Sequence, residues 1–381
     1  MCSRTRDFLC TFAGKGLSIM YDQIREDTLY IMLYAAVTVI AMLASCYLLF
    51  RRANAIAPDV TPPARLRRWT AAFFAALVLN HLVYMPIFFL SSSEDIMSID
   101  LIGGLLDCLT LFPVAIVVLL AMLQDRRRPL WPVAVMMAPI ILAAAWCVIA
   151  RSYAILPMAY VYSLLMCIGL IIYMVRALRQ YSRWLRENFA DLEHKEVWQS
   201  FVVLAIIMLV FVIYVFTTAG TFYQYAMQVI CIVLICYLLW RVETLCDLSI
   251  PEGTTKNVED SDLSLSMRNN IGPLLKQHCE DQQLYLQYDL TLSQLAQIIG
   301  TNRLYLSQHF SSQGMTYNAY INGLRIQHFI NLYHEAVATH QPITAQQLAH
   351  QSGFRSYNTF SVAFKKIIGM TATDWMRNVV K

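Results

Sequence analysis

Residues 291–300 read TLSQLAQIIG and residues 344–353 read TAQQLAHQSG, two copies of T-x-x-Q-L-A-x-x-x-G. In each copy a threonine, Thr291 or Thr344, is placed to cap a helix, and the glutamine three residues on, Gln294 or Gln347, completes a capping box. Leu292, Leu295, Ala296 and Ile299 share one face, with a small residue at Ala296 where a second helix must approach closely. Leu348 and Ala349 repeat that pair. Gly300 and Gly353 suit the left-handed residue that ends a helix. Asn302 then opens a short helix, Arg303–Ser311, with Leu306 and Phe310 inward. Ser356 caps its counterpart, with Phe360 and Phe364 inward. Two helix-turn-helix units therefore stand in tandem, at about 291–311 and 344–368.

Apolar residues elsewhere in 271–381 also follow helical spacing, without strand-like alternation. Between the units, Thr316 to about Ala338 predicts one long helix of about 22 residues, roughly 33 Å. One turn of B-DNA is about 34 Å, so two recognition helices held that far apart match successive major grooves on one face of a duplex. The expected partner of this half is double-stranded DNA.

The rest of the chain has a different character. Of 381 residues, 58% are hydrophobic and 14% are charged, against roughly 25% charged in an average soluble domain. Seven apolar runs reach the roughly 20 residues that cross a bilayer: about Leu29–Phe50, Trp69–Leu90, Ile99–Leu123, Trp131–Ala150, Tyr153–Val175, Trp198–Phe216 and Phe222–Trp240. Trp69, Trp131, Tyr153, Trp198 and Trp240 sit at their ends, where interfacial rings are favoured. The fold class is therefore all-α: a seven-helix transmembrane bundle over residues 28–246, then an all-helical double helix-turn-helix domain over 271–381.

Basic residues set the orientation. The loop after the first run holds Arg51, Arg52, Arg65, Arg67 and Arg68. That after the third holds Arg126, Arg127 and Arg128, and that after the fifth holds Arg176, Arg179, Arg183, Arg186 and Lys195. The intervening loops are nearly devoid of basic residues. Positive loops stay in the cytoplasm, which puts everything after Trp240 on the side where DNA is. The N-terminal segment, 1–27, runs against the rule with Arg4, Arg6, Lys15 and Arg25, and a start at Met20 in place of Met1 would leave only Arg25. Residues 247–270 read as a linker, its first part acidic: Asp247, Glu252, Glu259, Asp260 and Asp262 stand against Lys256, and Pro251 and Gly253 break any long helix.

Polar groups inside a span are costly and mark candidate functional sites. His81 and Asp107 fall at similar depth in neighbouring antiparallel spans, roughly 12–14 Å below the outer surface. A His81–Asp107 pair is feasible, with Asn80 and Tyr84 nearby. Such a cluster is either a polar element of a ligand pocket or proton-sensitive switch, or a hydrogen-bonded pair that fixes helix packing. The ten cysteines contain no C-x-x-C, and neither a metal site nor a cofactor is expected. The absence of H-E-x-x-H, a nucleophile elbow, a phosphate loop and paired intramembrane carboxylates gives no support to an enzyme.

Leu290–Arg377 resembles the C-terminal DNA-binding domain of the AraC/XylS family of bacterial transcription regulators. The resemblance rests on the two repeated helices, Leu306 and Phe310, Gly314-Met315-Thr316, Tyr320-Ile321 and Leu324-Arg325-Ile326. It continues through Gly353-Phe354, Phe360, Phe364-Lys365-Lys366, Gly369-Met370-Thr371 and Trp375–Arg377. It implies that Arg303, Leu304, Ser307 and Gln308 of the first unit, and Tyr357, Asn358 and Val362 of the second, reach base edges. Ser361 lies on the same outward face. Gln308 and Asn358 are chemically suited to adenine, and Arg303 to guanine or phosphate. Lys365 and Lys366 suit phosphates, which position without reading sequence. Val362 departs from the family at a place where arginine is frequent, and Ala372 replaces a common proline.

Residues 271–381 hold eight Lys/Arg and five Asp/Glu, a net of +3. So few cations neutralise few phosphates, and a homodimer or crowding on the membrane is expected to strengthen binding. The reading that follows is a multi-pass protein of the bacterial cytoplasmic membrane, in contact with lipid, that couples an unidentified small-molecule or envelope signal to promoter binding. The alternative is a receptor or transporter-like protein whose helical tail binds another protein.

Overall fold

The computed structural model describes residues 27–248 and 271–379, apart from 52–53, 58–59, 91, 194, 204, 207–220 and 341–342. Residues 1–26, Met20 included, and the linker at 249–270 lie outside the described residues. Every regular element among the described residues is helical, and the β feature they contain is one antiparallel bridge between Phe189 and Thr291. The chain forms two compact units. Among the described residues, one comprises residues 27–178 and 197–248, the other residues 179–196 and 271–379.

In the first unit the helices are α1 (Thr28–Phe50), α2 (Ala64–Tyr84), α3 (Ser93–Leu106), α4 (Phe112–Met122), α5 (Trp131–Ala150), α6 (Leu156–Asn188, whose residues from Arg179 group with the second unit) and α7 (Thr221–Thr244). Asp27 caps α1, its carboxylate accepting from the Leu29 and Tyr30 amides. A 3-10 turn, Met85–Phe88, ends α2. A π turn, Asp107–Leu111, joins α3 to α4, with the Phe112 amide bonding back to the Asp107 carbonyl oxygen. Pro113 brings no amide to this turn, so a wider ring of hydrogen bonds is accommodated there. Among the described residues, six helices are long and apolar enough to cross a membrane. Of the seventh expected span, near 198–216, residues 198–203 and 205–206 are helical and the remainder lies largely outside the described residues.

Buried Tyr30, Tyr34 and Phe88 pack with Tyr84 and Tyr225, while Cys108, Ile116, Val133, Met137, Ile140 and Met174 form another cluster. Large apolar side chains also point outward: Leu43, Leu142, Ile149, Met158 and Leu165 are all more than half exposed. A surface of that kind is disfavoured in water and matched to hydrocarbon.

The His81–Asp107 pair that depth makes feasible is not formed. His81 Nδ1 lies 2.9 Å from the Leu77 carbonyl oxygen and Nε2 lies 3.3 Å from Gln228 Oε1 on α7. Asp107 Oδ2 instead accepts from the Tyr84 hydroxyl at 3.0 Å. Three residues along a helix turn the side chain by about 60°, so His81 meets α7 where Tyr84 meets α3. The Tyr84 ring occupies the space that a side chain on Gly103 would need, one turn before Asp107. Asn80 Nδ2 donates to the Ala76 carbonyl oxygen at 3.0 Å and to Thr110 Oγ1 at 3.3 Å.

The second unit contains residues 271–275, which are helical and run into the π turn Lys276–Glu280, then a 3-10 turn, Leu284–Leu286. Six helices follow: α8 (Leu292–Ile298), α9 (Arg303–Ser312), α10 (Tyr317–Ala338), α11 (Ala345–Gln351), α12 (Tyr357–Ile368) and α13 (Ala372–Val379). Helix α10 spans 22 residues behind its cap Thr316, as the spacing predicts. It serves two cores: Tyr317 and Ile321 pack with Leu295, Leu306 and Phe310, whereas Ile326, Phe329 and Tyr333 pack with Leu348, Phe360 and Phe364.

Candidate nucleic-acid interface

Each helix-turn-helix unit begins with a reciprocal cap. Thr291 Oγ1 accepts from the Gln294 amide at 3.2 Å while the Thr291 amide donates to Gln294 Oε1 at 2.8 Å. Thr344 and Gln347 repeat this at 3.2 and 3.0 Å. Two otherwise unpaired amide donors are satisfied at each helix start. The apolar face is buried as its spacing requires: Leu292, Leu295, Ala296 and Ile299 in α8, Leu348 and Ala349 in α11.

Gly300 and Gly353 then take positive φ, +74° and +87°. Beyond each, an amide reaches back to the helix: Thr301 to the Ala296 carbonyl oxygen at 2.9 Å, and Phe354 to that of Ala349 at 3.1 Å. These matched bonds give both turns the same geometry. Asn302 Oδ1 next caps α9 by accepting from the Tyr305 amide at 2.8 Å, and Ser356 Oγ caps α12 by accepting from Thr359 at 3.3 Å.

The second helix of each pair is held by aromatic packing. Phe310 meets Tyr320 with ring centroids 5.0 Å apart, and Phe329 meets Phe360 at 4.6 Å. What remains outside on α9 is Arg303, Leu304 and Gln308, exposed, with Ser307 half-buried beside them. On α12 the exposed residues are Asn358, Val362, Lys365 and Lys366. Ser361 is half-buried, and Tyr357 is partly withdrawn because its ring packs on Phe360 at 5.6 Å. Helical spacing sets Asn358, Ser361, Val362 and Lys365 on one face, with Lys366 beside them. Apart from Tyr357, each set of sequence-expected residues lies along the outer side of its helix, with donors, acceptors and cations of the kinds that contact base edges and phosphates.

Several residues in this unit have contacts that the sequence does not indicate. Arg325 is almost fully buried in α10. Its guanidinium donates to the carbonyl oxygens of Tyr285 at 2.7 Å and Gln287 at 2.6 Å and lies 5.6 Å from the centre of the Phe354 ring. Burial lowers its pKa, while the Asp191 carboxylate acts in the opposite direction. Residues 187–193 and 195–196, expected only as part of an interhelical loop, belong to this unit. Asp289 bridges Lys195 and Arg355, 3.6 Å from each. The acidic run Glu187, Asp191, Glu193 and Glu196, following Arg179, Arg183 and Arg186, was the one available signal.

Residues 295–378 match the family profile described as "Helix-turn-helix domain". The chain is 37% identical over 71 residues to the HTH-type transcriptional activator RhaR of Salmonella heidelberg (strain SL476), covering 18% of this chain and 23% of that protein. The RhaR proteins of Salmonella typhi and Salmonella arizonae match with the same identity and coverage. The similarity therefore spans less than a quarter of these relatives. No solved structure matches significantly. The C-terminal part of the chain is a helix-turn-helix domain of the kind carried by transcription regulators, as the sequence motifs implied.

Proposed function

We propose that this chain is a membrane-anchored, sequence-specific DNA-binding transcription regulator that couples a membrane or envelope signal to promoter occupancy. The observation that carries the proposal is the presence, in one chain, of two capped helix-turn-helix units with exposed second helices and six helices apolar enough to cross a bilayer. On this reading Arg303, Leu304, Ser307, Gln308, Tyr357, Asn358 and Val362 face bases, with Ser361 on the same DNA-facing surface, and Lys365 and Lys366 face phosphates, in the manner of the AraC/XylS regulators that the sequence resembles.

The apolar half is assigned to the bacterial cytoplasmic membrane, with the DNA-binding domain in the cytoplasm, from the basic loops. The cluster of Asn80, His81, Tyr84 and Asp107, extended by Gln228, is the candidate element through which a ligand or envelope signal biases the bundle. A signal acts only through differential affinity for two states of the helices. The small positive charge of the domain favours action as a homodimer, which doubles the phosphates neutralised.

Genome-wide mapping of crosslinked DNA with the full-length protein tests this, alongside a Gln308→Ala/Asn358→Ala variant. Discrete peaks that vanish in the variant are expected. Their absence under every growth condition would favour a membrane receptor whose helical domain binds another protein.

A further inference from the structure

Ala190 is fully buried in the core of the first helix-turn-helix unit. Its amide donates to the Leu290 carbonyl oxygen at 3.4 Å, and Asn318 Nδ2 donates to the Ala190 and Phe189 carbonyl oxygens at 2.6 and 3.3 Å. The Tyr181 hydroxyl folds the segment back on α6 by donating to the Lys195 carbonyl oxygen at 3.0 Å. Ala190 is thus the buried pin of a segment that is also held at Phe189 and Lys195, and it fixes where its neighbours lie.

Three residues before the pin, Glu187 lines a small crevice with Ser307 and Ser311 of α9, and its charge acts on Arg303. Three residues after the pin, Glu193 Oε2 accepts from Thr359 Oγ1 at 3.2 Å, within the first turn of α12. One segment therefore sets Glu187 beside α9 and lays the Glu193 carboxylate on α12. Residues 187–196 hold four acids and one lysine. The positive dipole end of α12, close to Glu193, is also where a DNA phosphate is favoured.

We propose that residues 187–196 form an autoinhibitory arm whose Glu187 and Glu193 carboxylates hold places that DNA phosphates take when the domain binds a duplex. Arm and duplex repel one another and compete for the same surfaces, so the arm must leave for DNA to bind. Because the arm begins in the last turn of α6, a change at that end of the helix is positioned to release it. The inference rests on the DNA-binding reading and adds a switch to it.

The test uses the full-length protein in detergent micelles and a labelled pool of random-sequence 40-base-pair duplexes at low salt, read by fluorescence anisotropy. Three forms are compared: wild type, Glu187→Gln/Glu193→Gln and Gln308→Ala/Asn358→Ala. The Glu→Gln pair keeps the shape of the arm and removes its charge. It is expected to bind about five-fold tighter or more, the lower range of coupling between linked sites, with the gain shrinking as salt rises. Equal or weaker binding by that variant, with the wild type binding measurably, overturns the autoinhibitory arm and leaves DNA binding standing. Absence of binding by all three forms overturns both. In the wild type, saturating duplex should also speed amide hydrogen exchange over 189–193; unchanged or slowed exchange in a bound complex overturns the arm's displacement.

Discussion

Gly353 lies against the backbone of Leu286, so closely that a Cβ added to the glycine would fall 2.7 Å from the Leu286 Cα. The equivalent residue of the first unit, Gly300, has open space around the same position. Both have positive φ, so alanine meets a left-handed backbone at either site, at a cost of about 1 to 2 kcal/mol. Only at Gly353 must two backbones also separate. Gly353→Ala should therefore destabilise the C-terminal unit by about 3 kcal/mol or more, and Gly300→Ala by roughly half that or less. Thermal protease susceptibility of that unit in the full-length protein measures both. Equal shifts would contradict the close approach at Leu286.

Arg325 ties the 285–288 segment to α10. Replacing it with methionine keeps much of the buried stem but leaves the Tyr285 and Gln287 carbonyl oxygens without the donors that meet them at 2.7 and 2.6 Å. Buried acceptors deprived of a charged donor, and Asp191 deprived of a nearby cation, should cost about 3 kcal/mol or more. Lysine restores charge without the planar fork and should recover only part of the loss. Stability of Arg325→Met within 1 kcal/mol of wild type would mean that these bonds contribute little.

The first features recognised in the sequence are those whose physics is local. A cap, the glutamine three residues on, a buried Leu-Ala pair and a turn glycine all lie within ten residues, so Thr291–Gly300 and Thr344–Gly353 could be read directly. The outward residues of α9 and α12 followed once Phe310, Phe360 and Phe364 fixed the inward side. Pairing between helices was not legible. Depth alone placed His81 with Asp107, but a partner is chosen by helix rotation and by third helices, and Gln228 lies 147 residues away. Ala190 and Glu193 carry no periodic signal, because their contacts with Leu290 and Thr359 are made by a segment that is neither helix nor strand. Arg325 belongs to the motif that carries the resemblance, but its burial among carbonyl groups is set by the 285–288 segment and has no local signal.

The domain should also weaken in mild acid. Burial lowers the pKa of both His309 and His328, and the His328 ring is 3.3 Å from the Tyr285 hydroxyl. Each imidazole binds protons less readily in the folded chain than in the unfolded one, whose value is about 6.5. The unfolded state therefore gains protons first as the pH falls. The associated stability is complete above about pH 6.5 and is lost as the pH drops through the lowered folded values. Unfolding midpoints measured between neutral pH and pH 5 should fall, and a His309→Gln/His328→Gln variant should show a shallower fall. An identical slope in the variant would place the acid sensitivity elsewhere.

Val362 is 65% exposed and lies one turn beyond Asn358 on the outer face of α12. A valine there offers neither charge nor hydrogen bond, at a position where the resembling family often has arginine. Val362→Arg should add one cation within reach of the duplex and steepen the dependence of log affinity on log salt by about 0.9. Lys365→Gln and Lys366→Gln should each make it shallower by a similar amount, with little effect on which sequences are preferred. Asn358→Ala should do the opposite, changing sequence preference and sparing the salt slope, because a base contact releases no counterion. Anisotropy titrations over a salt series, with two duplexes of different sequence, separate the two kinds of residue. A Val362→Arg slope equal to that of wild type would mean that this face of α12 stands away from the DNA backbone, and the second unit would then have to bind in another orientation.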